Sequence, residues 1–210
     1  MVLRSVFDAM GTGNDSFITG YLLNFGLIFN ITLMGIYVTS AALAEEKEKN
    51  TLRTLMTSSI TGIEFFLGSI LPITGMIMVI NLLLLPVSGS TLGDINLLLY
   101  LFVTLIATLT SCIIGMIMGI FAKNQVSAST ITTPVLMIFI FIPTFAGLVD
   151  SLQGISSFLF TGVISDMANA ISTHTAFSLG GFQLVVLIGE ILISILLFLY
   201  CYHKNGYEAD

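Results

Sequence analysis

The densest set of reactive side chains in this 210-residue chain is Ala-Glu-Glu-Lys-Glu-Lys-Asn-Thr-Leu-Arg-Thr-Leu-Met-Thr-Ser-Ser, from Ala44 to Ser59. It holds three of the six basic residues and three of the twelve acidic ones. Adjacent carboxylates such as Glu45 and Glu46 suit acid–base work beside a metal. Intramembrane metalloproteases carry Glu-Glu-x-x-x-Arg together with two histidine motifs. Here the Arg position is Asn50, and Arg53 falls three residues too late. The two histidines, His174 and His203, are far from the acids and from each other, so they make no zinc-binding set. A Walker A loop needs Gly immediately before its Lys. Lys47, Lys49, Lys123 and Lys204 follow Glu46, Glu48, Ala122 and His203, so ATP hydrolysis would have to come from another chain. Cys112 and Cys201 sit singly in apolar runs and read as free thiols packed as small hydrophobes. We expect no catalytic residue, no metal and no cofactor.

The elements that position these groups follow from composition. The chain is 56% hydrophobic and 9% charged, with a mean hydropathy of +1.04. Soluble domains carry about 25% charged residues. The expectation is an all-α polytopic membrane protein. The net charge of −6 offers no basic surface for nucleic acid. About 20 apolar residues cross a hydrocarbon core of about 30 Å. On that measure the chain is a single transmembrane domain over 1–210, with five spans at about 17–43, 60–87, 97–122, 128–149 and 182–202. The charged run cannot lie in hydrocarbon, where each Lys, Arg or Asp costs roughly 2.5–3.5 kcal/mol at a helix centre. It must lie in water, as a segment over 44–59. Residues 150–181 are too polar to span and too apolar for a free loop. Residues 1–16 are a polar lead-in without the apolar core of a signal peptide.

Orientation follows from Lys and Arg in the short loops. With the charged run inside, Lys47, Lys49, Arg53, Lys123 and Lys204 are all cytoplasmic and only Arg4 is outside. The N-terminus is then outside, the C-terminus is cytoplasmic, and the two histidines lie on opposite sides. Within the run, Glu45 and Lys49 form an i,i+4 pair worth about 0.2–0.5 kcal/mol on an isolated helix. Asn50 tolerates left-handed backbone, Thr51 could cap a helix starting after it, and Leu52, Leu55 and Met56 recur at helical spacing. A helix leaving the membrane, a break at Asn50 and a short surface helix fit this pattern; so does a solvated loop. Glu190, nine residues into the last span, must face a bundle interior or a partner rather than lipid. It is a candidate pathway or bundle-interior residue, as are Asn24, Asn30 and Asn81. Gly115-Met-Ile-Met-Gly119 is a GxxxG close-packing face, open to a contact within the chain or to a dimer.

One family resemblance enters here. Glu46-Lys47-Glu48-Lys49-Asn50-Thr51-Leu52, then Leu55, Ser58, Phe66, Gly68 and Pro72, resembles the signature of ATP-binding-cassette (ABC) type-2 exporter permeases. The connection from Gly119 through Lys123-Asn124-Gln125 to Pro134 is similar too, and so is the partly apolar segment before the last span. The resemblance implies a plasma-membrane permease subunit of an ABC exporter. Its partners would be a separate ABC ATPase, a second permease chain in a homo- or heterodimer, and the lipid bilayer. It implies a coupling helix formed by Glu45, Glu46, Glu48, Thr51, Leu52, Arg53 and Leu55 against the ATPase, and outer helices that dip back into the membrane. Asn50 stands where the family usually has Gly. The family has six spans against five here, so the sequence reads as lacking the first, which would leave Asn24 and Asn30 facing lipid. That departure supports an alternative: a non-transporting interaction, immunity or regulatory protein derived from a permease. The topology is checked by single cysteines in a Cys-free background. Asp94→Cys and Asp150→Cys should react with an impermeant maleimide from outside; Asn50→Cys and Asn124→Cys should not. Reaction at Asn50→Cys in intact cells would invert the scheme.

Overall fold

A backbone buried in hydrocarbon has no water to bond, so each apolar run must satisfy its own N–H and C=O groups by forming a helix. The computed structural model describes residues 15–49, 62–88, 95–147 and 149–204. Among them every regular element is helical, and five helices are long and apolar enough to cross a membrane. The chain is an all-α polytopic membrane protein.

Helix α1 runs over 15–48 without a break: α-helical at Asp15–Thr32, π-helical at Leu33–Val38, and α-helical again at Thr39–Glu48. Its apolar stretch and the first charged residues thus share one rod. Helix α2, Gly62–Ser88, contains Pro72 and Pro86. Helix α3, Leu97–Phe121, starts at Asn96, whose side chain accepts from the Leu99 N–H at 3.2 Å. Helix α4, Gln125–Phe145, starts at Asn124, whose side chain accepts from the Ser127 N–H at 2.8 Å. These caps satisfy donors that the first turn leaves free. Two short helices come next, α5 at Asp150–Ser156 and α6 at Phe160–Ser172, and then α7, Gly181–Lys204. At 13 residues α6 is too short to span. It folds back against α1, burying Phe160, Val163, Ile164, Met167, Ala168 and Ile171.

Helices α1 and α3 form the centre of the bundle, and α7 is the least enclosed of the five long helices. The Gly115–Gly119 face packs on α1 of the same chain. A Cβ at Gly115 would lie 2.5 Å from the Ile36 carbonyl oxygen, and one at Gly119 would lie 3.0 Å from that of Ser40. Gly35 on α1 leaves room in turn for the Ser111 side chain of α3. The Ser111 hydroxyl donates to the Ile31 carbonyl at 2.8 Å. That carbonyl lies where the wider π-turn begins and the regular i→i−4 ladder is disturbed.

Polar side chains cross-link the same centre. Asn30 Nδ2 donates to Asn81 Oδ1 at 2.8 Å and to the Ile77 carbonyl at 3.2 Å. The Tyr100 hydroxyl donates to the Asn81 carbonyl at 2.7 Å. This node joins α1, α2 and α3. Asn24 Nδ2 donates to Ser165 Oγ of α6 at 3.0 Å. The expectation that Asn24 and Asn30 would face lipid is therefore corrected: each has a protein partner, because α2 and α6 cover that side of α1.

Gly115→Ala should lower the thermal unfolding midpoint of the purified chain in detergent, at a cost of roughly 1–3 kcal/mol, because the added methyl meets backbone that cannot step aside. Gly68→Ala and Gly75→Ala, with open space at each Cβ, should leave the midpoint unchanged or raise it.

Candidate functional site at the charged end of the bundle

Glu45, Glu46, Lys47, Glu48 and Lys49 form the last helical turn and C-cap of α1. A helix sets residues three and four apart on one face, so Leu43 and Lys47 follow each other along the side that meets α3. Leu43 packs with Met116 and Ile120. One turn further, Lys47 reaches the end of α3. Its Nζ donates to the Ile120 carbonyl at 2.6 Å and the Ala122 carbonyl at 2.7 Å. The last carbonyls of a helix lack intrahelical partners and carry the negative end of its dipole. No basic residue of α3 itself lies in that turn. Lys47 of α1 supplies the cation, a favourable interaction of about 0.3–2 kcal/mol.

Glu45 makes the second tie. Gln125 Nε2, in the first turn of α4, donates to Glu45 Oε2 at 2.6 Å, and Lys49 pairs with the same carboxylate in the i,i+4 arrangement. That pairing raises the Lys49 ammonium above its ordinary range. The end of α1 is thus fastened to the C-terminus of α3 through Lys47 and to the N-terminus of α4 through Glu45. Thr51, Leu52, Arg53 and Leu55, and with them the break at Asn50, lie outside the described residues.

Glu190 is not part of this end. Its Oε2 accepts the Phe160 N–H at 2.6 Å. The carboxylate of α7 therefore sits at the N-terminus of α6, where free N–H groups and the positive dipole end stabilise an anion. Asn24, Asn30 and Asn81 lie in the bonds described above, and Gly115 and Gly119 in the α1–α3 contact. The structure does not bring Glu190 together with the asparagine node.

The sequence places Lys47 in the charged run and Gln125 in the turn after α3, but the partner of neither is legible there. Lys47 is one of several alternating charges. Only its place four residues after Leu43 hints that it faces the bundle.

Five apolar helices closing on a charged end define a multi-pass helical membrane protein. Residues 6–200 match the ABC-2 family transporter proteins. The chain belongs to that family, whose members are the permease-type membrane components of ABC transporters. Comparison with curated proteins and with solved structures yields no match.

Glu190→Gln retains an acceptor for the Phe160 N–H and should keep the stability of the chain close to the parent. Glu190→Leu orphans that donor and should cost about 1–3 kcal/mol, read as a lower unfolding midpoint in detergent. Equal midpoints for the two variants would show that the contact does not hold α6.

Proposed function

We propose that this chain is the transmembrane permease subunit of an ABC exporter in the plasma membrane. ATP is hydrolysed by a separate ATPase subunit, and two permease chains form the path. The N-terminus lies outside, the C-terminus is cytoplasmic, and the charged end of α1 faces the ATPase. The observation that carries this reading is the double fastening of that end. A displacement of residues 45–49 cannot be absorbed locally. Lys47 passes it to α3, and Glu45 passes it to α4. Glu46 and Glu48 supply negative charge beside these ties, for contact with a complementary surface. Thr51, Leu52, Arg53 and Leu55 would extend the contact along the chain.

Two variants separate contact from transmission. Glu46→Arg should reduce co-purification of the cognate ATPase subunit, since charge reversal acts across the shared surface. Lys47→Met should retain that association and lower substrate moved per ATP by roughly tenfold, the weight of a coupling free energy of about 1.4 kcal/mol. Lys47→Arg keeps donors for the α3 carbonyls and should recover part of the loss. The measurements are pull-down and vesicle transport with simultaneous ATP assay. Parental association in Glu46→Arg together with parental coupling in Lys47→Met would remove this assignment.

A further inference from the structure

At the end of the bundle opposite Lys47, a cavity of about 710 Å3 opens between α1, the end of α4, α5 and α6. That volume lies within the range of small-molecule pockets, about 300–1,000 Å3. Its walls are held by close contacts. A Cβ at Gly20 would lie 2.5 Å from Ser172 Oγ, so α1 and α6 touch there. Asn24 and Ser165 bond the same two helices one turn deeper. Gly162 lies so close under the Ser156 carbonyl that no side chain fits, which fixes α5 against α6.

The lining is polar, with amides at Asn24, Gln153 and Asn169 that both donate and accept, and with one charged side chain among the described residues. Each hydroxyl has one proton and two lone pairs. Thr144 gives its proton to the Ile140 carbonyl at 2.6 Å, and Ser157 to Gly154 at 2.8 Å. Ser172 and Thr173 donate to the Asn169 carbonyl at 2.8 and 2.9 Å. With their protons engaged by their own helices, these four hydroxyls offer the cavity lone pairs. Asp166 adds a carboxylate, positioned by Gln183 Nε2 of α7 at 2.9 Å. No Lys, Arg or His is among the described lining residues. An anion would find no counter-charge here. A purely apolar molecule would strip water from the hydroxyls without replacing their bonds. A ligand with several N–H donors and positive charge meets both demands.

We propose that this cavity binds an ammonium-bearing ligand, a protonated amine of the size of a short polyamine, with Asp166 as its counter-charge. The proposal rests on the permease reading for its place in transport: this is where the substrate class is recognised, at the end away from the ATPase. The binding itself requires no ATPase.

The test uses the purified full chain in detergent, without ATPase, titrated with spermidine, sorbitol or succinate. Spermidine should raise the unfolding midpoint saturably, and the neutral polyol and the dianion should not. Asp166→Asn keeps an acceptor for Gln183 and should weaken spermidine binding about tenfold, equivalent to ~1.4 kcal/mol. A second readout avoids any change at Asp166. In a chain with Cys201→Ser, the thiol of Ser157→Cys should react with maleimide more slowly in spermidine than in sorbitol. Equal responses to spermidine and sorbitol, or unchanged spermidine affinity in Asp166→Asn, would overturn the proposal. Because no ATPase is present, binding can fail while the coupling through Lys47 stands. It can also succeed while that coupling fails.

Discussion

The close approach of α1 and α3 is the constraint on which the rest of the bundle depends. Lipid is as apolar as leucine, so nothing drives two helices together except packing and hydrogen bonds. Gly115 and Gly119 remove side chains from the face of α3 that meets α1, and Gly35 does the same on α1 opposite Ser111. The two backbones then come close enough for Ser111 to bond the Ile31 carbonyl and for Lys47 to bond the last carbonyls of α3. The short Ser111 side chain would not reach across two helices separated by ordinary side chains. The other long helices gather around this pair with much of their apolar surface turned outward, as a lipid solvent allows.

The polar groups of the bundle are segregated by kind. Charges that need water or a helix terminus sit at the Lys47 end, where Glu45 also meets the start of α4. Amides hold the middle, as Asn30 and Asn81 do beneath the Tyr100 hydroxyl. Hydroxyls, the amides of Asn24, Gln153 and Asn169, and the Asp166 carboxylate line the far end. Glu190 lies apart from both ends, at a helix N-terminus whose free Phe160 N–H donates to its carboxyl oxygen. A chain built this way has a rigid, ionically fixed end and an opposite end able to accept a polar guest.

The helices were legible in the sequence because a long apolar run has one stable solution in hydrocarbon. The acidic-basic run before Thr51 and Leu52, which resembles a permease signature, placed the chain in its family. What stayed hidden was pairing. GxxxG announced a close-packed face at Gly115 and Gly119 without saying which helix would meet it. Glu190 could be assigned to an interior, but not to the Phe160 N–H, thirty residues earlier on a helix too short to show in hydropathy. The π-turn has no signature in Leu-Met-Gly-Ile-Tyr-Val, which reads as any apolar segment. The charged run reads either as a helix continuing to Asn50 or as a solvated loop, and neither reading shows that Lys47 meets the end of α3 or that Gln125 meets Glu45. Their roles come from long-range geometry, and composition and spacing are blind to that.

The π-turn also sets the phase of the long first helix. Each residue advances an α-helix by about 100°, and a π-turn carries one residue more than a regular ladder needs. If Leu33–Val38 ran as a regular α-helix with every residue kept, the extra residue would add its own advance to the turn. Everything beyond that point would be turned by about a quarter of a revolution relative to Asn24 and Asn30. Lys47 would swing away from the end of α3, and Glu45 away from Gln125. The π-turn thus acts as a vernier: by absorbing that residue it brings the polar contacts of the first half and the ionic contacts of the second half onto the bundle at once, a registration that hydrophobicity alone would not enforce.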